Sequence, residues 1–344
     1  MRLVGRAAHR RSPRVTLAYS IKTNPLPELL ELARGSGMWA EAITQHEAAH
    51  ALDHGFAPAS TVLNGPAKWW PSKLAGGGYA AVFCDSLEEV AALRRAVCSG
   101  GERLECFGVR LRPAIVQSRF GIDLSLPRTF TRLVRELHRL PRGQAIGFHF
   151  HQASSAIGVG TWRYLAGNFV AAARILGEQA GRRPALLSFG GGWHPDDWFR
   201  FLREDLAALQ SACRRELPGL QRILLEPGKA LAQRSMCLLM RVLEVRRDEA
   251  VLDGSVAELP DLLSHPHRFV SLHSRAFQPW APGEARLLGR LCMEFDVVGQ
   301  RLRLPRGLKA GALVAALDAG AYDASMAYIF SRGFVPVLPG PGTL

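Results

Sequence analysis

The sequence predicts an α/β protein: a (β/α)8 TIM-type barrel followed by a smaller C-terminal β domain. Over residues 15–231, short apolar runs alternate with amphipathic helical segments, as in parallel strands joined by crossover helices. After residue 231 the segments are short and lack long helical patterns between them. The 344 residues are 48% hydrophobic and 21% charged, enough to form a substantial core. We expect a basic N-terminal segment at 1–14, the barrel at 15–231 and the β domain at 232–344.

The predicted barrel consists of eight strands and the helices between them. The strand candidates are short runs rich in Val, Ile, Leu, Ala or Phe: Val15–Ile21, Met38–Ile43, Ser60–Leu63, Ala80–Cys84, Cys106–Leu111, Ala145–Phe148, Ala185–Phe189 and Arg222–Leu225. The helix candidates have apolar residues at helical spacing: Leu26–Ser36, Gln45–Gly55, Ser86–Ser99, Leu126–Leu140, Trp162–Ala180 and Asp196–Glu216. In such a barrel the active site lies at the carboxyl ends of the strands.

The predicted β domain contains five short strand candidates: Met236–Val245, Ala250–Asp253, Arg268–Val270, Phe295–Val298 and Leu313–Leu317.

Composition and charge exclude several classes of function. No apolar run approaches the roughly 18–20 residues of a membrane span, and the basic first fourteen residues lack the apolar core of a signal peptide. Six irregularly spaced cysteines fit a reduced, cytoplasmic protein. The formal charge of +13 comes mostly from scattered arginines, without a basic block or interleaved aromatics. We therefore expect no membrane and no nucleic-acid partner, while an acidic protein partner stays open.

Residues with distinctive chemistry follow four of the predicted barrel strands. Lys22 follows the first strand, His149 and His151 the sixth, the run Gly190–Gly192 the seventh, and Glu226 the eighth. Because the two histidines alternate along a strand, we expect only one to face the barrel mouth and the other to serve packing. A lysine, a glycine-rich anion cradle and a carboxylate suit pyridoxal phosphate. The lysine would form a Schiff base with the cofactor, and the carboxylate would keep its pyridine nitrogen protonated.

Nine motifs in order along the chain resemble the fold-type III family of pyridoxal phosphate enzymes, the ornithine/diaminopimelate/arginine decarboxylases. They are Tyr19-Ser20-Ile21-Lys22-Thr23-Asn24-Pro25, the acidic strand Glu41 to Glu47, the turn Asn64-Gly65-Pro66-Ala67-Lys68, Ser118-Arg119-Phe120-Gly121, His149-Phe150-His151 to Ser154, Gly190–Gly192, Glu226-Pro227-Gly228, Cys292 to Asp296, and Asp318-Ala319-Gly320-Ala321-Tyr322. One such motif would be weak, but nine in order are specific.

The resemblance implies a role for each matching residue. Lys22 would hold the cofactor, His151 would stack on its ring and Glu226 would pair with the pyridinium. The phosphate would be bound by Ser154, Gly190, Gly191, Gly192, Gly228 and Tyr322. Cys292, donated by the neighbouring subunit of a head-to-tail homodimer, would lie at the substrate and deliver the Cα proton. The implied reaction is decarboxylation of a small amino acid: the substrate displaces Lys22 from the cofactor, CO2 leaves to give a quinonoid, Cα is reprotonated, and the amine is released when Lys22 takes back the cofactor.

Several positions depart from the family pattern. Lys229 replaces an arginine after Glu226-Pro227-Gly228, and Ala153 replaces a glycine beside Ser154. Met293 stands where the ornithine and diaminopimelate enzymes carry an acid that binds the distal amine of the substrate. We therefore expect a substrate other than free ornithine or diaminopimelate. A carrier-protein-bound amino acid would suit both Met293 and the net charge.

Three alternatives to an amino-acid decarboxylase stay open. The short segments at Met1–Arg14 and Val335–Leu344 raise the possibility of an incomplete β domain, and with it a non-catalytic, cofactor-binding or regulatory relative. A pyridoxal phosphate-dependent racemase is the second, although Glu226 stands where such enzymes place an arginine. The third is zinc hydrolysis, because His46-Glu47-Ala48-Ala49-His50 fits the H-E-x-x-H signature. No third ligand is evident, so we expect no metal.

Overall fold

The computed structural model describes residues 13–66, 68, 78–101, 104–112, 118–263, 265–272, 279–330 and 333–338. Of the predicted N-terminal segment, residues 1–12 lie outside the described residues, as does Ala67 in the third motif. The chain divides into two compact units between Ala230 and Leu231. Among the described residues, no helix is both long enough and apolar enough to cross a membrane.

The first unit is a closed barrel of eight parallel strands, as predicted. Its strands, with one short additional strand, are β1 Arg14–Ser20, β2 Trp39–Ala42, β3 Thr61–Leu63, β4 Tyr79–Cys84, β5 Leu104–Arg112, β6 Ile122–Asp123, β7 Ala145–His149, β8 Pro184–Ser188 and β9 Arg222–Leu225. The sheet order is β4-β3-β2-β1-β9-β8-β7-β5, and pairing of β4 with β5 closes the ring. The two-residue β6 pairs with β5 outside the ring. All strands therefore end at one mouth.

Helices cover the outside of the barrel. They are α1 Pro27–Gly35, α2 Gln45–Asp53, α3 Leu87–Cys98, α4 Pro127–His138, α5 Ser154–Ile157, α6 Val159–Gln179, α7 Pro195–Glu204, α8 Leu206–Glu216 and α9 Gly228–Ala232. Helices α2 and α3 begin at N-caps in which Thr44 and Ser86 accept a backbone N–H three residues on. The predicted single helix Asp196–Glu216 is two helices, because the chain breaks at Asp205.

Small and apolar side chains fill the barrel interior. The buried cluster includes Ala18, Val62, Phe83, Cys106 and Leu186, which come from five different strands. Gly108 and Gly147 leave room for this packing, since a Cβ on Gly108 would lie 2.3 Å from the Phe83 ring. The polar residues of the mouth therefore rest on a dry, close-packed layer.

The second unit is built around a six-stranded, mostly antiparallel sheet. Its elements are β10 Leu238–Arg246, β11 Glu249–Leu252, β12 Arg268–Ser271, β13 Pro282–Leu288, β14 Val297–Leu302, β15 Leu313–Leu317 and α10 Asp323–Met326. The order is β12-β15-β10-β11-β13-β14, with a parallel pair at β11 and β13. Strand β13 was not among the predicted segments. It is half-exposed and begins Pro-Gly-Glu, so its sequence lacks a continuous apolar run.

Candidate active site

Lys22 lies at the barrel mouth in a buried polar cluster. Strand β1 ends at Ser20, and a 3-10 turn over Ile21–Thr23 places Lys22 two residues beyond the end of the strand. The Nζ atom forms an ion pair with Oε2 of Glu41, to which the Ser20 hydroxyl also donates a hydrogen bond. The Glu41 side chain is fully buried at the end of β2, whereas Lys22 keeps 27% of its side chain exposed. Glu41 thus orients the Lys22 amine, while part of the lysine side chain stays exposed at the barrel mouth.

Glu226 is the second buried carboxylate of the mouth, directly after β9. Its Oε1 accepts a 2.7 Å hydrogen bond from the Ser188 hydroxyl at the end of β8. The Nε2 atom of His149 lies 3.5 Å from the same oxygen. Burial alone would raise the pKa of Glu226, but His149, Lys22 and His151 lower it to about 2. Glu226 is therefore ionised at neutral pH.

Both histidines of the sixth barrel strand lie beside Glu226, so the expectation that only one faces the mouth is wrong. Ligand atoms of His149, His151 and Glu226 lie within 4.8 Å of one another. The reason is that side chains two residues apart in an extended chain point to the same side, so the spacing of His149 and His151 places both on one face at the end of β7. His149 also packs on the Phe83 ring, with centroids 5.2 Å apart.

His151 is a neutral imidazole in this structure. Its Nδ1 accepts a 3.1 Å hydrogen bond from the backbone N–H of Gly191, so that nitrogen carries no proton. Burial and the nearby charge of Arg110 lower the pKa of His151 to about 3. A neutral ring fixed by the glycine loop offers a flat surface for stacking.

The glycine loop after β8 packs directly on these side chains. A Cβ on Gly191 would lie 2.0 Å from the carbonyl oxygen of Glu226, and one on Gly190 would lie 2.3 Å from Nδ1 of His151. Gly190 and Gly192 have φ of 63° and 89°, which glycine adopts without strain. Only glycine fits this loop, which brings its backbone to within contact distance of both groups.

Ser154 and Gly228 complete the predicted set on the barrel. The Ser154 hydroxyl lies 3.5 Å from the carbonyl oxygen of Gly192. A Cβ on Gly228 would lie 2.3 Å from Oγ1 of Thr23, in the turn that carries Lys22. The structure therefore brings every predicted barrel residue to one mouth. Ala153 packs against Gly192, at the point where the motif departs from its usual glycine.

Arg110 is a site residue that the motifs did not single out. It is buried near the carboxyl end of β5, with its guanidinium 3.4 Å from Asp85 and 4.7 Å from the centre of the Phe120 ring. Burial lowers the pKa of Arg110, while Asp85, Glu226 and Glu41 raise it. Its one sequence signal is an arginine within the apolar run Cys106–Leu111, where a charge has no packing role.

In the second unit, Cys292 is exposed on a loop that Asp296 shapes. The buried Asp296 carboxylate accepts hydrogen bonds from the backbone N–H of Val256 at 2.9 Å and of Leu291 at 2.6 Å. Met293 packs against the core of this unit, whereas Cys292 and Glu294 are exposed. The spacing from Cys292 to Asp296 thus has a structural explanation: the aspartate closes the loop that displays the thiol.

Tyr322 lies in the same unit, in a left-handed conformation directly before α10. Its φ of 69° is uncommon for a large side chain, so surrounding contacts must hold it. Asp318, at the start of the motif, also has a positive φ of 65° and pairs with Arg268 through two hydrogen bonds of 2.6 and 2.9 Å. The motif is a short, strongly restrained segment.

The H-E-x-x-H segment is the start of α2. The Glu47 carboxylate accepts from the backbone N–H of Ile43 at 2.9 Å, while Thr44 accepts from the N–H of Glu47 at 3.1 Å. These two bonds cap the start of α2, in a variant of the capping box in which the glutamate accepts from the residue before the N-cap. Nε2 of His50 contacts the carbonyl oxygen of Pro25 at 2.8 Å, and His46 is exposed. Glu47 and His50 of the signature thus have structural roles, in helix capping and in a contact with Pro25.

A lysine, an ionised carboxylate and a glycine loop at the mouth of an eight-stranded barrel define an enzyme of the cofactor-binding barrel class. The chain belongs to the pyridoxal-dependent decarboxylases: residues 4–233 match the family model described as "Pyridoxal-dependent decarboxylase, pyridoxal binding domain". This membership confirms the predicted family, the pyridoxal phosphate cofactor and the enzyme class, a carboxy-lyase.

Individual relatives agree with this assignment over nearly the whole chain. A diaminopimelate decarboxylase of Bacteroides thetaiotaomicron is 25% identical, over 92% of this chain and 85% of the relative. A lysine/ornithine decarboxylase of Selenomonas ruminantium is 24% identical, over 94% and 82%. The crystal structure of diaminopimelate decarboxylase from Helicobacter pylori has a TM-score of 0.73 at 19% identity, covering 94% of this chain and 83% of that one. The fold of both units is thus a known one.

Proposed function

We propose that this chain removes the Cα carboxylate of a small amino acid as CO2, using pyridoxal phosphate held at Lys22. The observation that carries the proposal is the grouping of the Lys22 amine, the ionised Glu226 and the neutral His151 at one barrel mouth. The family assignment supplies the reaction class, and these groups supply the chemistry it needs.

The donor set fits the cofactor at each of its polar ends. Lys22 would bind the aldehyde carbon covalently, and Glu226 would accept a hydrogen bond from the protonated pyridine nitrogen. The ring would lie against His151. Its phosphate would be held by Ser154, Gly190, Gly191, Gly192, Gly228 and Tyr322. When bound, the cofactor withdraws the electron pair that CO2 loss leaves at Cα.

Glu226 would keep the pyridine proton in place. Because its pKa is lowered to about 2, the Glu226 carboxylate stays ionised across the neutral range and can accept a charge-assisted hydrogen bond. The Ser188 hydroxyl fixes one of its oxygens, and the buried His149 limits access of water. The Glu226 carboxylate is therefore already ionised in the protein without cofactor.

Glu41 would hold the Lys22 ammonium whenever the substrate occupies the cofactor. Its fully buried carboxylate already pairs with Nζ and accepts from Ser20. A buried carboxylate left without its cation would be strongly destabilised, so the lysine is retained beside the reacting centre. From there it can return a proton or reclaim the cofactor after each turnover.

Cys292 of the partner subunit would deliver the proton to Cα in a head-to-tail homodimer. Its exposure, and the loop that Asp296 closes behind it, support a role in which the thiol reaches a surface beyond its own unit. Cys292→Ala should therefore lower turnover without removing bound cofactor, whereas Cys237→Ala, at another exposed cysteine, should change neither.

The substrate is proposed to be an amino acid whose distal amine is blocked or carrier-bound, not free diaminopimelate or ornithine. Similarity to diaminopimelate and lysine/ornithine decarboxylases favours a diamino-acid skeleton. Met293 packs against the core and offers no carboxylate to a distal amine. The exposed Glu294 is the one acid next to it, so Glu294→Gln tests whether that carboxylate takes over the role.

The experiment is CO2 release from a panel of free diaminopimelate, ornithine, lysine and arginine and their derivatives acylated on the distal nitrogen. The proposal predicts that an acylated derivative has the highest kcat/KM. Efficient turnover of free diaminopimelate, lost in Glu294→Gln, would overturn the substrate proposal but not the reaction. Racemisation, or cofactor binding without CO2 release from any compound, would favour the two alternatives and overturn the reaction.

A further inference from the structure

Five arginines lie along the solvent face of α4 and the turn that follows it. We call them the arginine row: Arg128, Arg132, Arg135, Arg139 and Arg142. Their spacings of four, three, four and three residues place the helical members on one face, and all five side chains are exposed. The opposite face of α4 buries Leu133 and Leu137 against the barrel. At 1.5 Å per residue the row spans about 17 Å from Arg128 to Arg139.

Local acids do not neutralise this row. Arg132 lies 3.1 Å from Glu88, and Arg139 lies 3.9 Å from Glu136. Glu136 is already paired more closely, at 2.6 Å, with Arg94 of α3. Within the described part of the chain, the remaining three members, Arg128, Arg135 and Arg142, form no ion pair with an acid.

Several arginines on the neighbouring helices are paired with acids. Arg163 of α6 lies 2.8 Å from Asp205, and Arg174 lies 2.9 Å from Glu178. Arg200 of α7 lies 2.8 Å from Asp197. Arg95 of α3 and Arg203 of α7 are also exposed without an ion pair among the described residues, so what distinguishes α4 and its turn is that three such arginines fall in one line.

A further arginine adds positive charge at the end of α4. Arg182 donates to the carbonyl oxygens of Leu140 and Pro141, which fixes its guanidinium beside the helix end. The row with Arg94 and Arg182 comprises seven arginines against Glu88 and Glu136, a formal excess of five positive charges. Such a surface concentrates acidic partners and accelerates their encounter.

We propose that the arginine row is a docking surface for an acidic helix of a partner protein. Residues three and four apart on a helix have Cβ atoms about 5–6 Å apart. A partner helix with acids at the same spacing presents carboxylates at the same repeat, and guanidinium groups bind carboxylates through paired hydrogen bonds. A second copy of α4 would carry the same charge and be repelled.

A protein helix matches this geometry better than a nucleic acid does. The row is a line of charge, one residue wide, along the three-turn helix α4 and the turn that follows it. Duplex DNA carries one charge per about 1.7 Å of its axis on two strands that wind around a groove. A straight row of arginines therefore meets few duplex phosphates but a full set of carboxylates. The inference does not depend on the reaction or on the substrate of this enzyme.

The test measures binding of the holoenzyme to two labelled alanine-rich helical peptides of identical composition. One has glutamates at alternating spacings of four and three residues, and the other has the same glutamates distributed around the helix. Fluorescence anisotropy at low salt should show tighter binding of the first peptide. Arg128→Gln/Arg135→Gln/Arg142→Gln should weaken that binding about tenfold, since three charged contacts are lost together.

The matched control is Arg203→Gln/Arg303→Gln/Arg306→Gln, which removes the same charge from exposed positions outside the row. Its binding should stay within about twofold of wild type, and decarboxylation should be unchanged in both triple variants. Equal binding of the two peptides, or equal loss in the two triple variants, would overturn the proposal. Tighter binding of a DNA duplex than of either peptide, lost in the row variant, would also overturn it. If the triple variant unfolds early, Arg135→Gln alone carries the comparison.

Discussion

Nε2 of His149 lies 3.5 Å from Oε1 of Glu226, and the two side chains are only 1% and 2% exposed. A buried carboxylate with a histidine and a serine hydroxyl on one oxygen is held ionised before any cofactor arrives. The contact with His149 therefore helps to keep a negative charge on Glu226 at the barrel mouth.

Glu226→Gln should slow CO2 release by about 100-fold while cofactor remains bound, because an amide cannot stabilise a protonated pyridine nitrogen. The measurement is kcat at saturating pyridoxal phosphate. Glu136→Gln, at a buried glutamate on α4, is the matched control and should leave kcat unchanged. Equal kcat in Glu226→Gln and wild type would mean that Glu226 does not contact the ring.

His151 should make the apoprotein less stable in acid. Its pKa is lowered from 6.5 to about 3, so the unfolded chain binds more protons between those values. The free energy of unfolding therefore falls as pH drops through this window, by up to about 2 kcal/mol between pH 6.5 and pH 5. Urea unfolding should show a shallower pH dependence in His151→Gln than in wild type. His46→Gln, at an exposed histidine, should follow wild type, and parallel curves for all three proteins would contradict this.

Gly191→Ala should impair both folding and cofactor binding. The added Cβ would lie 2.0 Å from the Glu226 carbonyl oxygen, so the loop or the strand end must move. We expect a loss of about 1–3 kcal/mol in the free energy of unfolding and a higher Kd for pyridoxal phosphate. The control is Gly167→Ala in α6, where no atom lies within 4 Å and alanine should stabilise by about 0.5–1 kcal/mol. Similar effects of the two substitutions would refute the close approach.

His267 should restrain the segment that carries Tyr322. Its Nδ1 lies 3.1 Å from the Leu317 carbonyl oxygen and its Nε2 lies 3.3 Å from Oδ2 of Asp323, so one ring contacts both ends of residues 318–322. Burial would lower the pKa of His267, but Asp323 and the Leu317 carbonyl raise it.

His267→Ala should lower the free energy of unfolding by about 2–4 kcal/mol, since it leaves Asp323 buried without its partner. It should also raise the Kd for pyridoxal phosphate, which His267→Asn should partly restore through the bond to Leu317. His265→Ala, at a half-buried histidine 3.5 Å from Asp261, is the control. Loss of stability with an unchanged Kd would show that the restraint does not reach Tyr322.

The barrel was predictable because apolar runs and helical spacing repeat in the order that parallel strands require. The sequence did not predict the helix break at Asp205 or strand β13. The break does not interrupt the helical spacing of apolar residues, and β13 has no clear hydrophobic period of its own. In the site, Lys22 and Glu226 were singled out by their position after strand ends, whereas the choice of His151 over His149 came from the family resemblance. His149 was misjudged, because residues two apart in a strand share a face, and the spacing of His149 and His151 therefore places both beside Glu226. Arg110 and Ser188 contact Asp85 and Glu226, which follow other strands. Residue spacing in the sequence does not reveal such contacts.

Attachment of the cofactor to Lys22 is the central claim, and an absorbance titration with pyridoxal phosphate tests it most directly. Wild type and Lys309→Ala, at an exposed lysine, should both develop the visible band of a lysine-bound cofactor, and Lys22→Ala should not. Borohydride reduction followed by peptide mapping should place the pyridoxyl group on Lys22. A visible band that persists in Lys22→Ala, or a pyridoxyl group on another lysine, would contradict the account.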